Sequence, residues 1–128
     1  MKTASEWKKI GVVGVDSGQL MICDPCYIDS EWKKEEFDSA KKPSNFSYNG
    51  VSQATLKRQT AQMKYALGHS GVAVVFRSGL GDGLYDVFAK IEDVKYWGRR
   101  VTEVRIKLVD AAYAKKMSKA MFGNAYKK

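Results

Sequence analysis

The sequence predicts a mainly β fold, either an antiparallel β-sandwich or a partly open barrel with one or two short peripheral helices. Short runs rich in β-branched residues recur along the chain, breaks rich in Gly and Asp separate them, and residues 101–109 alternate apolar with charged side chains. The 128 residues, 45% of them hydrophobic, are the size of one domain. We therefore expect a single domain over residues 1–128, with its core over about 10–110.

The first predicted element is a β-hairpin. Two apolar, β-rich runs at 10–15 and 20–22 flank the turn sequence Asp16-Ser17-Gly18. Pro25 follows closely, and proline cannot donate a ladder hydrogen bond. It should therefore end the second strand or place that strand at a sheet edge.

The middle of the chain mixes helix and loop signals. Residues 31–42 combine good helix formers with a capping Ser30, which predicts a short helix. Residues 43–50 carry loop chemistry. Residues 51–60 favour helix by propensity but contain β-branched side chains, so helix and strand both remain open there.

The last part of the chain has clearer periodicity. Strands are predicted at 71–76, 84–94 and 101–109, with a turn at 95–100 that contains Gly98. Residues 111–122 place Tyr113, Met117 and Met121 at helical spacing with lysines opposite. This spacing predicts a C-terminal amphipathic helix that packs on the sheet.

The formal net charge of +8 favours association with polyanions or small anionic ligands. The basic residues are spread along the sequence, so a solvated surface is favoured over a nucleic-acid footprint. No apolar run approaches the roughly 20 residues of a bilayer-spanning helix, and no signal peptide is recognised. With two cysteines only, a cytoplasmic protein is the simplest expectation.

The first candidate ligand-binding segment spans residues 16–27 and offers Asp16, Ser17, Asp24 and Tyr27, although a plain turn would use the same residues. Within it, Cys23 and Cys26 have the spacing of a redox or zinc pair. A zinc site would need further ligands, and the chain has one histidine. We therefore expect a buried cysteine acting as a small hydrophobe, and no metal or cofactor.

The second candidate segment spans residues 78–85 and is richer in glycine than a tight hairpin needs. Such glycine density suits backbone amides that approach an anion closely, although a wide connection remains an equal alternative. Asp82 could serve as a ligand or a base. The candidate binding residues here are Ser78, Gly79, Gly81, Asp82, Gly83 and Tyr85.

Two further groups of residues are predicted to be structural. His69 lies between Gly68 and Ser70 and is expected in a surface turn. The aromatic residues are expected in the core or at its rim, because they do not cluster on one strand pattern as a base-stacking platform would. These are Trp7, Trp32, Tyr96 and Trp97.

Four motifs in order resemble the signature of an uncharacterised family of small β-rich proteins from bacteria and their phages. The motifs are Val-Asp-Ser-Gly at 15–18, Asp-Pro-Cys-Tyr-Ile at 24–28, Gly-His-Ser-Gly at 68–71 and Ser-Gly-Leu-Gly-Asp-Gly-Leu-Tyr-Asp-Val at 78–87. The resemblance implies a strand over 61–67 and a phage or prophage origin, hence a host cytoplasm. Asp86 stands where family members often carry Pro. The resemblance supplies no activity.

The leading functional hypothesis is a binding module in which the two turn segments meet at one rim and hold a small anionic, nucleotide-like ligand. One alternative is a divalent-cation-dependent hydrolase using Asp16, Asp24 and Asp82. Another is an interaction or inhibitor module for a host or phage protein. The sequence leaves the oligomeric state open.

Overall fold

The fold contains six strands and two short helices within the described residues. The computed structural model describes residues 6–109 together with Lys115 and Lys119. The strands are β1 (Lys8–Val15), β2 (Gln19–Cys23), β3 (Thr60–Lys64), β4 (Ser70–Arg77), β5 (Gly83–Val94) and β6 (Gly98–Ile106). The helices are α1 (Cys26–Ser30) and α2 (Tyr48–Lys57).

The strands form two antiparallel three-stranded sheets, ordered β1-β5-β6 and β2-β4-β3. Two antiparallel sheets with short helices are the elements of a sandwich-like fold, so the predicted fold class is confirmed. The chain divides into two compact units: unit 1 is Met1–Gly14 with Gly83–Lys128, and unit 2 is Val15–Asp82. The single domain expected from chain length stays a prediction.

The predicted hairpin of the first two strands is wrong in its pairing. Strand β1 lies beside β5, whereas β2 pairs with β4 from Gln19↔Arg77 to Cys23↔Ala73. An apolar pattern indicates that a strand exists, but it does not specify which strand pairs with it through backbone hydrogen bonds. The prediction for Pro25 is confirmed, since β2 ends at Cys23 and lies at a sheet edge.

The predicted helix at 31–42 is also wrong, because this segment is irregular. The Lys33 amide donates to the Phe46 carbonyl at 2.9 Å. The Glu35 carboxylate accepts hydrogen bonds from the Ser44 amide at 2.9 Å, the Ser44 hydroxyl at 2.8 Å and the Asn49 side-chain amide at 3.0 Å. These long-range bonds hold the segment against the start of α2 and override its helix propensity.

Helix α2 begins inside the predicted loop and decides the open region at 51–60, which is helical to Lys57. Its N-cap is Ser47, whose hydroxyl accepts from the Gly50 amide at 2.9 Å. Gly50 packs against backbone: an added Cβ would lie 2.2 Å from the Ser44 carbonyl oxygen. The strand expected at 61–67 is confirmed up to Lys64, and a turn follows it.

Unit 2 contains a close-packed apolar core. Its members come from α2, β3, β4 and the preceding loop: Phe46, Val51, Met63, Val72, Ala73 and Val75. Trp32 packs edge-to-face on Phe46, with ring centroids 4.9 Å apart. Burying one valine side chain contributes roughly 1.5–3 kcal/mol, so this cluster is a main source of stability.

Unit 1 is built around the β5–β6 hairpin. Its ladder runs from Val87↔Ile106 to Val94↔Gly98, with an irregularity between Lys90 and Ile91. The predicted strands and the turn between them are confirmed. The helix expected at 111–122 lies outside the described residues apart from Lys115 and Lys119, which are helical and exposed.

Hydropathy and length both argue against a membrane-crossing helix in the described part of the chain, where no helix is long and apolar enough to span a bilayer.

Candidate functional site

The structure brings the two glycine-rich turns together within unit 2. The Gly18 amide donates to an Asp82 carboxylate oxygen at 2.8 Å, and the Ser78 amide donates to the Gly18 carbonyl at 3.0 Å. We call this group of three residues the clasp. Asp16 and Ser17 lie exposed beside it.

The glycines of the second turn are required by its backbone conformation. Gly79, Gly81 and Gly83 have φ angles of 58°, 103° and 151°, which residues other than glycine rarely adopt. The turn is closed internally, because the Gly81 amide donates to the Ser78 carbonyl and the Ser78 hydroxyl donates to the Gly81 carbonyl, each at 3.0 Å. The glycine density is thus explained without a ligand.

The charge of the clasp also weighs against an anionic ligand. The Gly18 amide, one of the groups that would have to face the anion, is occupied by the exposed Asp82 carboxylate. A phosphate would have to displace this carboxylate and would then lie beside its negative charge. The clasp therefore acts as a structural connection between two turns.

Asp24 lies at the other end of β2 from Asp16. A five-residue strand spans about 17 Å, so the two carboxylates are too far apart to share an ion. Among the described residues, no three His, Cys, Asp or Glu side chains come close enough to hold a metal ion. The aspartate cluster of the hydrolase hypothesis does not form.

Tyr27 belongs to an aromatic group beside the core of unit 2. Its hydroxyl shares a hydrogen bond with that of Tyr65 at 2.9 Å, and the two rings pack edge-to-face at 5.1 Å. The hydrogen bond between the two hydroxyls raises the pKa of Tyr27 to about 12. Tyr65 stacks on His69 at 4.3 Å, and His69 is exposed as expected. The group fixes the 65–69 turn to α1.

The two cysteines differ in environment, and both are free. Cys23 is partly buried and packs against the core, so the expectation of burial is met in part for it. Cys26 is exposed, so the expectation is wrong for it. The Asp24 side chain accepts a hydrogen bond from the Cys26 amide at 3.0 Å. A hydrogen bond to Asp24 raises the pKa of the Cys26 thiol, which opposes formation of a reactive thiolate.

A shallow pocket of about 160 Å³ opens on unit 2. Its polar lining includes Gln19, whose amide nitrogen donates to the Ser52 hydroxyl at 2.9 Å and whose amide oxygen accepts from Thr55 at 2.8 Å. The Gln19 amide is therefore engaged by α2 at both ends. The remaining walls are mainly apolar: Leu20, Met21, Trp32, Tyr48, Val51 and Val75.

Among residues 6–109, the most exposed aromatic side chains lie at the tip of the β5–β6 hairpin. Tyr96 is 91% exposed and Trp97 is 68% exposed, so the expectation that they lie in the core or at its rim is wrong. The Lys95 ammonium lies 5.1 Å from the centre of the Tyr96 ring. The sequence carried a signal for this site, because residues 95–100 were predicted as a turn and turns expose their side chains.

A second aromatic–basic contact lies on the sheet of unit 1. Trp7 is half-buried, with the Arg105 guanidinium 4.0 Å and the Lys90 ammonium 5.1 Å from its ring centre. Cations this close to an aromatic face are attracted by the quadrupole of the ring. Trp7 thus fixes two basic side chains of this sheet.

Comparison with known proteins adds no relative to these observations. No family model, no curated protein and no solved structure matches the chain. The resemblance to small β-rich bacterial and phage proteins stays a prediction, and the function has to be argued from the residues themselves.

Proposed function

We propose that this protein binds nucleic acid through unit 1. The observation that carries the proposal is the division of charge between the two units. Unit 1 has 14 Lys and Arg against 6 Asp and Glu, whereas unit 2 has 8 of each. The whole formal net charge of +8 therefore belongs to unit 1, and such a concentration attracts phosphate backbones.

The basic side chains of the hairpin are accessible. Strand β6 is exposed over nearly all of its length, and it carries Arg99, Arg100 and Arg105. Within residues 6–109, Arg100 makes no ion pair, and Arg99 pairs with Asp93 at 3.6 Å in an exposed contact. Exposed ion pairs contribute about 0–1 kcal/mol, so a phosphate can replace the Asp93 carboxylate.

The hypothesis of a small anionic ligand at the rim has weaker support than nucleic-acid binding by unit 1. The Gly18 amide is already bonded to Asp82, and the carboxylate adds negative charge where a phosphate would lie. Unit 2 has no net charge to attract an anion. The geometry therefore favours an extended polyanion on unit 1 over a nucleotide at the clasp.

The proposal is tested by fluorescence anisotropy with labelled oligonucleotides and the full-length protein. We expect binding that weakens steeply between about 50 and 200 mM salt, because bound phosphates release counterions. The double variant Arg99→Ala/Arg100→Ala should weaken binding and reduce the salt slope by about one for each phosphate that these side chains neutralise in the parent.

A matched control removes the same charge from unit 2. Lys41→Ala/Lys42→Ala replaces two exposed lysines and should bind nearly as the parent does, apart from a small effect of net charge. Absence of oligonucleotide binding at low salt would contradict the proposal. Equal losses of affinity in both double variants would show that net charge, and not the hairpin, is responsible.

A further inference from the structure

We infer that the nucleic acid bound by unit 1 is single-stranded, and that Tyr96 and Trp97 stack on its bases. This inference rests on the proposed function and names its substrate class. The two rings are neighbours at the hairpin tip and are 91% and 68% exposed. Exposed rings next to cations are what proteins use to hold unpaired bases, since every base presents a π-face.

The backbone at Tyr96 gives independent support. Its φ angle is 72°, and it is the single non-glycine residue with positive φ among those the structure describes. A bulky side chain held in this conformation is strained. Glycine or asparagine would form the same turn with less strain. Tyrosine at this position therefore serves something other than the stability of the turn.

Cations surround the two rings along the same hairpin. Lys95 precedes them and lies over the Tyr96 ring, while Arg99 and Arg100 follow Trp97 after one intervening glycine. A single strand can present its bases to the rings and its phosphates to these cations at once. In a duplex the base faces are stacked inside, and only base edges and phosphates would meet the rings.

The same residue types also occur where proteins touch lipid headgroups, but the tip favours nucleic acid. Its apolar surface consists of two side chains, bounded on both sides by the cations Lys95 and Arg99. Binding to a bilayer grows with the apolar area buried in it, and two side chains offer little such area. Stacking on bases needs no more than the faces of these two rings.

The test compares three labelled probes with the full-length protein: a single strand, an abasic strand with the same number of phosphates, and a duplex. The parent should bind the single strand best. Trp97→Ala should bind the single strand about tenfold or more weakly, close to the parent's affinity for the abasic strand. Phe37→Ala, which removes an exposed aromatic ring from unit 2, should bind as the parent does.

Tyr96→Gly separates a binding role from a structural one. Glycine adopts this positive φ without strain, so the unfolding midpoint of the variant should rise. Its affinity for the single strand should fall several-fold. A residue kept only for the turn would show no loss of affinity. If the unfolding midpoint is not lowered, misfolding cannot explain the loss of affinity.

The two proposals fail in distinguishable ways. If no probe binds at low salt, the proposed function is wrong and the inference falls with it. If all three probes bind equally and the Trp97 and Tyr96 variants match the parent, charge-driven binding stands and base stacking is overturned. Binding of vesicles rich in anionic lipid, without binding of the single strand, would overturn the inference in favour of a membrane surface.

Discussion

The two units of the chain differ in their buried core and in their net charge. Unit 2 buries its core side chains almost completely, with Val72 and Val75 each 1% exposed, and carries no net charge. Unit 1 shows apolar side chains to solvent, including Val101 at 59% and Val104 at 58%, and carries all of the net charge. The core residues of unit 2 therefore serve packing, whereas the exposed residues of unit 1 are available for contact with another molecule.

The largest effect that would test this comparison is expected at Gly50. Alanine there would gain about 1 kcal/mol of helix propensity, but its Cβ would lie 2.2 and 2.3 Å from two backbone oxygens. We expect Gly50→Ala to lower the free energy of unfolding by about 3 kcal/mol, measured by urea denaturation. In unit 1, a Cβ added at Gly11 would have no atom of the described residues within 4 Å apart from its own chain neighbours. Gly11→Ala should therefore change the free energy of unfolding by about 0.5 kcal/mol or less. Equal effects would remove the contrast in packing.

A smaller effect is expected from adding one hydroxyl to a valine in each unit. Val75→Thr places the hydroxyl in the core of unit 2 and should cost about 2 kcal/mol of stability. Val104→Thr places it on an exposed face of unit 1 and should cost less than about 0.5 kcal/mol. Thermal unfolding followed by circular dichroism measures both. A large loss for Val104→Thr would show that something covers this face.

The smallest effect concerns the pH dependence of unit 2. Hydrogen bonds from Ser44, with a further one from Asn49, lower the pKa of the Glu35 carboxyl below its ordinary value of 4.5. A lowered folded-state pKa stabilises the fold above the ordinary value, and this contribution is lost as the pH falls below about 4.5 through the folded-state pKa. Urea midpoints measured on descending pH should therefore fall less for Glu35→Gln than for the parent.

The neighbouring exposed residue provides the control for this measurement. Glu36→Gln removes a carboxylate of the same type without touching the Ser44 contacts. It should retain the parent's fall in stability below about pH 4.5. If both variants lose the pH dependence equally, the Glu35 network is not its source.

Much of the strand content could be predicted from the sequence because apolar and β-branched runs are a local signal. The runs at 71–76, 84–94 and 101–109 are all strands, with ends shifted by a few residues. Partner choice could not be predicted, since β1 and β2 are neighbours in sequence but belong to different sheets. The helix expected at 31–42 failed because the Glu35 side chain bonds to residues that local propensity does not include.

The candidate site was predicted in part, for a related physical reason. The hydrogen bond from Gly18 to Asp82 joins the two turns, as their expected meeting requires. The excess glycine, however, reflects positive φ angles and not an open anion site. The aromatic tip was missed because Tyr96 and Trp97 were judged by the absence of a cluster on one strand pattern. Their place in a predicted turn was the stronger signal, since the tip of a two-stranded hairpin has no interior in which to bury them.

The clasp has a consequence for how this chain is divided. Its hydrogen bonds hold residue 18 beside residue 82, so the two ends of unit 2 are adjacent. In unit 1, an added Cβ on Gly14 would lie 3.6 Å from the Leu84 side chain, so the chain leaves and re-enters unit 1 at one place. In topological terms unit 2 is an insertion between two neighbouring antiparallel strands. A short turn joining Gly14 to Gly83 would convert unit 1 into a continuous three-stranded meander, and the inserted segment offers closely spaced termini for circular permutation.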